Sequence, residues 1–386
     1  MDEFNLCCKS ISIFHNVAKS ASPLIGLAQA ESVSERVERA AEVFRAVADF
    51  GCDTTGEWLT ALVESDDNAM SRAAAKGCVI GKRIKLQAEK ELLIFKRLSM
   101  LKPTDFMTDN TKEFFPMFGF GGFSVTVGSL IGAWEKRGCG VFSKGSAFVY
   151  DGESNGFILA AQEPLSLSDL KNYDEEKSEI VKNTENFIAG LPAFNALLYG
   201  DRGTGKSTTV RAIAYEYRDK IKIIELKRGD IARLGDVYEA LDGYKQKFII
   251  FIDDLSFDES DSSVDGFKAA LEGSLGARDN VLLYCTSNRR HLVKESDKEY
   301  KNGNDETQAE LALFDRFGLV VTYVNPDKAE FLDIFKQILR ARSIKWRDEY
   351  AQIAELAALK KGGRSPRAAK QIADLIESTY ALGKKG

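Results

Sequence analysis

The residues with the most chemical consequence lie together between Gly200 and Thr208. The run Gly200-Asp201-Arg202-Gly203-Thr204-Gly205-Lys206-Ser207-Thr208 fits the spacing G-x-x-x-x-G-K-S. A short apolar run, Leu197-Leu-Tyr, precedes it, and Thr208-Thr-Val-Arg-Ala-Ile-Ala-Tyr reads as a helix after it. Strand, glycine loop and helix in this order form a phosphate cradle. Gly200, Gly203 and Gly205 let the backbone wrap an anion without Cβ clashes. The loop amides and the helix N-terminus then turn partial positive charge toward the phosphates. Lys206 is placed to reach the β- and γ-phosphates of a nucleotide, and the Ser207 hydroxyl to ligate Mg²⁺. A glycine-rich turn before a helix is the bland alternative; the full spacing with both flanks correct weighs against it.

Further along, Lys247-Phe-Ile-Ile-Phe-Ile-Asp-Asp-Leu255 is an apolar strand that ends in acids. Asp253, at the strand tip, would hold Mg²⁺ directly or through water, and Asp254 would polarise an attacking water. Val281-Leu-Leu-Tyr-Cys-Thr-Ser-Asn288 ends another strand in a neutral amide, which can orient water without titrating. Leu313-Phe-Asp-Arg316-Phe-Gly follows, and then Gly362-Gly-Arg-Ser-Pro-Arg367-Ala-Ala at a helix start.

These residues need a scaffold of alternating strands and helices, and the chain supplies one from about residue 165. Ala196-Leu-Leu-Tyr, Lys222-Ile-Ile-Glu-Leu, Phe248-Ile-Ile-Phe-Ile, Val281 to Thr286 and Val320-Val-Thr-Tyr are short apolar runs separated by helix signals. That pattern predicts a parallel sheet buried on both faces. Helices are expected again over 326–342, 346–359 and 366–380, with Gly362-Gly363 between the last two. Residues 1 to about 105 read as helical: Val33, Val37, Ala40, Ala41, Phe44 and Val47 recur at helical spacing, and 82–100 repeats the pattern. Gly140 to Tyr150 and Gly156 to Ala161 look like two strands around the turn residues Asp151 to Gly156.

Composition narrows the class. The 386 residues are 44% hydrophobic and 29% charged, ordinary for a soluble globular chain of two or three domains. A net charge of −5 shows no chain-wide nucleic-acid footprint. Six scattered cysteines without a C-x-x-C pair, and only two histidines, argue against zinc and for reduced thiols in a cytoplasmic protein. The acidic start, Met-Asp-Glu-Phe, does not read as a signal peptide. Phe114 to Trp134 is uncharged over 21 residues, long enough to span a bilayer. Its five glycines, Pro116 and missing period favour a buried or partner-facing segment, so a membrane role is not expected.

The ordered set GDRGTGKS, FIDD, TSN, DRFG and GGRSPR resembles an AAA+ ATPase, and more narrowly an uncharacterised bacterial P-loop family of that superfamily, over about residues 165–386. The resemblance implies an αβα nucleotide-binding core over 165–325 and a helical lid over 326–386. A β-hairpin connector over 141–164 and a mostly helical accessory region over 1–140 would precede them. It implies ATP and Mg²⁺ as cofactors. Asn288 would be sensor 1, Arg367 sensor 2 on the lid, and Arg316 the arginine finger inserted into a neighbouring subunit's site, with Arg289 and Arg290 as rivals. Tyr173 would lie near adenine. The trans arginine implies a homo-oligomer.

Two departures from the family pattern bear on function. Asp254 stands where most AAA+ proteins carry Glu, as it also does in replication initiators and some helicase loaders. The stretch Glu225-Leu-Lys-Arg-Gly-Asp-Ile-Ala-Arg-Leu-Gly lacks the aromatic pore loop of protein unfoldases. The expected function is Mg²⁺-dependent ATP hydrolysis coupled to remodelling of a protein partner. A nucleic-acid motor or loader and a slow nucleotide-dependent interaction switch are the alternatives.

Overall fold

The computed structural model describes residues 2–101, 118–257, 266–268, 271, 279–288, 316–360 and 363–383. Contacts divide the chain into two units, Met1–Gly145 with Gly243–Gln246, and Ser146–Asp242 with Lys247–Gly386.

The first unit is helical: α1 (Asp2–Lys9), α2 (His15–Ser20), α3 (Ser22–Gln29), α4 (Val33–Asp49), α5 (Thr55–Glu64), α6 (Ala69–Ala75), α7 (Lys82–Ser99) and α8 (Val127–Arg137). The starts follow from sequence. Ser32, Thr54, Asn68 and Thr126 each accept a bond from a first-turn amide, and Glu57 closes a capping box with Thr54. Of the apolar periodicity over 33–47, Ala40 and Val47 are buried on α4 together with Val43, while Val33 and Phe44 stay exposed; on α7 Leu92, Phe95 and Leu98 are buried. Phe14, Leu24, Trp58, Phe95 and Trp134 are fully buried at the centre. One device here is long-range. Phe14 at the start of α2 offers no side-chain cap. The carboxylate of Glu91 on α7 takes that role, accepting from the amides of Ser12, Ile13 and Phe14 at 3.0–3.2 Å.

Of the Gly/Phe-rich segment, residues 114–117 lie outside the described residues. Phe118 to Thr126 is non-helical, with Phe118 and Phe120 rings 4.8 Å apart and Phe123 buried, and α8 follows. Among the described residues no helix is long and apolar enough to cross a membrane.

The second unit runs β1 (Ala147–Asp151), β2 (Gly156–Leu159), α9 (Asp174–Ile188), β3 (Ala196–Gly200), α10 (Lys206–Glu216), β4 (Ile221–Glu225), α11 (Leu234–Leu241), β5 (Lys247–Ile252), β6 (Val281–Ser287), β7 (Leu319–Tyr323), α12 (Lys328–Ala341), α13 (Glu349–Lys360) and α14 (Pro366–Gly383). The strands form one sheet in the order β2-β1-β4-β5-β6-β3-β7. Every pairing is parallel except that of β1 with β2. This is an α/β architecture with a parallel P-loop sheet and a C-terminal helical lid. Ile249, Phe251, Leu282, Tyr284 and Val321 on the sheet bury against Ile180 and Phe187 of α9 and Val210 and Ile213 of α10. The lid has its own core, in which Phe331, Phe335 and Leu339 of α12 meet Ala354 and Ala358 of α13 and Ile372 of α14.

The hairpin read as a connector over 141–164 forms the edge of this sheet, with Phe148 of β1 opposite Ile224 of β4. Its first strand is also shorter than the apolar run. Gly140–Lys144 forms a 3-10 turn, and the strand starts at Ala147. Gly140, at φ +57°, sits in the left-handed region that a strand does not use.

Candidate nucleotide-binding site

The loop between β3 and α10 is shaped by three glycines with positive φ: Gly200 at +128°, Gly203 at +78° and Gly205 at +103°. The need for glycine at 200 comes from β7 rather than from an anion. A Cβ there would lie 2.0 Å from the Tyr323 carbonyl oxygen. The loop is tied down at the same place, since the Asp201 amide donates to Tyr323 O at 2.8 Å and its carboxylate accepts from the Asn325 amide at 2.8 Å. Thr204 donates its hydroxyl to Asp201 O at 2.9 Å, and Arg202 points to solvent. Gly205 precedes α10, so the amides that follow open an anion site at a helix N-terminus.

Lys206 is buried, 5% exposed. Its Nζ donates to Gly200 O at 3.0 Å, Asp201 O at 2.7 Å and Asn288 Oδ1 at 3.0 Å. Burial pushes its ammonium down to about 8, against the pull of Asp201, Asp254 and Asp253. Two neutral carbonyls and an amide do not replace the lost hydration of a cation, and a phosphate group would.

β5 and β6 run side by side and deliver the acids and the amide. Asp253 Oδ1 accepts from Ser207 Oγ at 2.5 Å and from Thr286 Oγ1 at 2.7 Å. The Thr286 hydroxyl in turn accepts from the Asp254 amide at 3.0 Å. Asn288 bridges the two halves of the site, for its Nδ2 donates to Asp254 Oδ1 at 2.8 Å while its Oδ1 serves Lys206. Asp254 has φ +55°, a conformation costly for any residue with a Cβ. The chain turns sharply there and sends adjacent carboxylates to different partners.

The lid meets the loop directly. Arg367, exposed on the first turn of α14, donates its amide to Gly203 O at 3.2 Å. A cavity of about 490 Å³ lies between them, lined by Gly203, Thr204, Gly205 and Thr208, by Leu170 to Tyr173, and by Ile338, Arg342 and Arg367 of the lid. Tyr173 and Asn172 both adopt left-handed backbone. The Tyr173 hydroxyl donates to Val324 O at 2.7 Å, its ring sits 5.1 Å from that of Tyr323, and burial pushes its phenol up.

Thus Lys206, Ser207, Asp253, Asp254 and Asn288 form one network, and Tyr173, Gly203, Thr204, Gly205, Thr208 and Arg367 share one cavity wall. Arg316 is elsewhere in the chain's order, a half-buried turn residue just before buried Phe317 and β7. Arg289 and Arg290 lie outside the described residues. Sequence reasoning missed Arg211, whose guanidinium reaches Asp253 Oδ2 at 3.2 Å. The signal was present: Arg211 is four residues after Ser207 on α10, and so on the same helix face. It also missed Thr286 as a partner of both acids, which only the β5–β6 register reveals.

Over 119 residues the chain is 34% identical to the replication factor C large subunit of Sulfolobus acidocaldarius, a stretch that covers 28% of this chain and 26% of that protein. It is 25% identical over 209 residues to the probable mitochondrial chaperone BCS1-A of Dictyostelium discoideum, covering 45% and 49%. The chain therefore spans about a quarter to a half of the length of these curated relatives. Among solved structures it is similar to the Thermotoga maritima RuvB Holliday junction branch migration motor, with TM-score 0.41, 18% identity, and 57% and 67% covered. The motif order on the P-loop sheet and the two curated relatives make the second unit an AAA+ ATPase core. Residues 143–380, well over half of the chain, match the family described as "Protein of unknown function (DUF815)", and the chain belongs to that family.

Proposed function

We propose that the chain binds ATP with Mg²⁺ and hydrolyses it in a homo-oligomer, and that turnover remodels a partner protein. The observation that carries this reading is the single network that joins Lys206, Asn288 and Asp254 beside the Ser207–Asp253 pair. The Ser207 hydroxyl and the Asp253 carboxylate are hard oxygen donors at the mouth of a phosphate cradle, and such donors suit Mg²⁺. Bound there, Mg²⁺ would neutralise phosphate charge. The residues of the chain do the rest. The loop amides and Lys206 hold the phosphates, and Asn288 fixes the carboxylate of Asp254 so that it accepts a proton from water. Arg367 comes from the lid over the nucleotide, and Arg316 serves a neighbouring subunit.

Protein remodelling is favoured by the relative named as a chaperone, which spans the larger share of this chain, and by the acidic net charge. The relative named as a replication factor supports the second reading, a nucleic-acid motor or loader. Phosphate release measured alone, with DNA and with unfolded protein separates them. Stimulation by unfolded protein supports the first reading and stimulation by DNA the second. A slow, unstimulated rate supports an interaction switch. The oligomer is tested by mixing. A Lys206→Ala subunit, whose own site binds ATP weakly but which keeps Arg316, should restore activity to Arg316→Ala subunits. Co-assembled mixtures that stay inactive would remove Arg316 from that role.

A further inference from the structure

Among the described residues, Arg211 is a strong positive charge at the acid cluster that the proposed mechanism leaves unused. A single nitrogen, Nη2, faces two carboxylates, Asp253 Oδ2 at 3.2 Å and Glu225 Oε2 at 3.5 Å. The guanidinium carbon lies 5.5 Å from the centre of the Phe251 ring, which gives the planar group a third support. Glu225 is the last residue of β4 and Asp253 follows β5, its hydrogen-bonded neighbour. Asp253 is thus divided. Oδ1 belongs to the hydroxyls of Ser207 and Thr286, and Oδ2 belongs to Arg211.

We propose that Arg211 is a positioning residue that acts as the resident counter-cation of the metal site: it competes with Mg²⁺ for the charge of Asp253, and Glu225 is the second acceptor that lets it yield. The proposal rests on the reading that Ser207 and Asp253 hold Mg²⁺. The physical argument is one of charge. A carboxylate already neutralised by a guanidinium attracts a divalent ion less than a bare one does. A second carboxylate within reach of the same nitrogen lowers the cost of releasing the first, because the guanidinium keeps an anionic partner throughout. The site would then be kept from wasting its charge on stray cations, and metal binding would be felt at the end of β4.

The two partners have opposite effects on metal binding, and this makes the idea testable without turnover. A fluorescent ADP is titrated into the full chain at graded Mg²⁺, and the half-saturating Mg²⁺ is read from the nucleotide signal. Arg211→Gln removes the competitor and should lower that concentration about fivefold, as expected for one unit charge near this site under water-like screening. Glu225→Gln strands the guanidinium on Asp253 and should raise it by a similar factor. Arg211→Lys keeps a cation and should stay near the wild type. A merely structural role would weaken Mg²⁺ binding in both neutral variants. Shifts in the same direction, or none, overturn the proposal while leaving the metal reading intact. ADP binding by the wild type that ignores Mg²⁺ overturns both.

Discussion

Each unit of this chain holds buried charge, and two of these residues, Glu91 and Lys206, are treated in opposite ways. Glu91, fully buried in the helical unit, collects bonds from the amides of Ser12, Ile13 and Phe14, the Ser12 hydroxyl and the Gln87 amide. Burial alone would raise its carboxyl, but these donors outweigh burial and hold it below the usual range. Lys206, nearly as buried in the other unit, has only two carbonyls and one amide, and burial wins, drawing it down to about 8. A buried charge that the protein satisfies by itself is a structural fastening. A buried charge left under-compensated beside a glycine loop suits a ligand of opposite sign.

The largest expected effect falls on the acid beside Lys206. Asp254→Asn should keep ATP affinity and lose turnover by about 10²–10⁴, as for other positioned proton acceptors. Single-turnover phosphate release and nucleotide binding, measured on the same sample, check this. Wild-type turnover would move the role to another residue. Lys206→Ala should weaken nucleotide binding by about 10- to 100-fold, the range for a hydrogen bond to a charged group, without lowering the unfolding midpoint. A folded variant with unchanged affinity would break the comparison at its functional end.

Glu91→Gln should do the reverse. It should cost about 1–3 kcal/mol of stability in denaturant, from orphaned donors, and leave nucleotide affinity alone. Loss of ADP binding by the folded variant would show that Glu91 is more than a fastening. Its acid dependence has a definite sign. The folded-state carboxyl lies below its unfolded value, so its contribution is present above the ordinary carboxylate range and is lost as pH falls through the depressed folded value.

The smallest effect is the pH response of Lys206. Nucleotide phosphates favour the charged ammonium, so binding above about pH 8 takes up a proton. Affinity should fall as pH rises past that point, by at most about tenfold per unit. Stability without nucleotide should move the other way. Between about 8 and the usual lysine range the unfolded chain binds the extra proton, so folding gains as pH rises. Calorimetry in two buffers of different ionisation heat would reveal the proton. Flat affinity from pH 7 to 9.5 would show that Lys206 is not depressed.

Much of this was legible in residue order. The P-loop, the strand that ends in Asp253-Asp254 and the strand that ends in Thr-Ser-Asn288 are local signals, readable because backbone geometry and strand burial act over a few residues. The lid helices and α4 and α7 of the first unit followed from apolar period and breakers, whereas α8 arose in a stretch that showed no period. Three more things were not readable. The hairpin's place at the sheet edge depends on β1 finding β4, over seventy residues away. Gly200 answers to a carbonyl on β7. Glu91 caps a helix that starts seventy-odd residues before it.

The sequence alone determined which side chains carry charge and hydroxyl chemistry, and on which kind of local element each rides. Dihedral preference, capping and hydrophobic period are short-range forces written in neighbouring residues. The tertiary structure alone decided which of those groups share an environment. Packing brought Thr286 and Arg211 to Asp253 and gave Asn288 both Lys206 and Asp254. It also left Lys206 short of compensation while surrounding Glu91 with donors. Desolvation and hydrogen-bond supply are set by what the fold buries beside a residue, and spacing along the chain does not contain them.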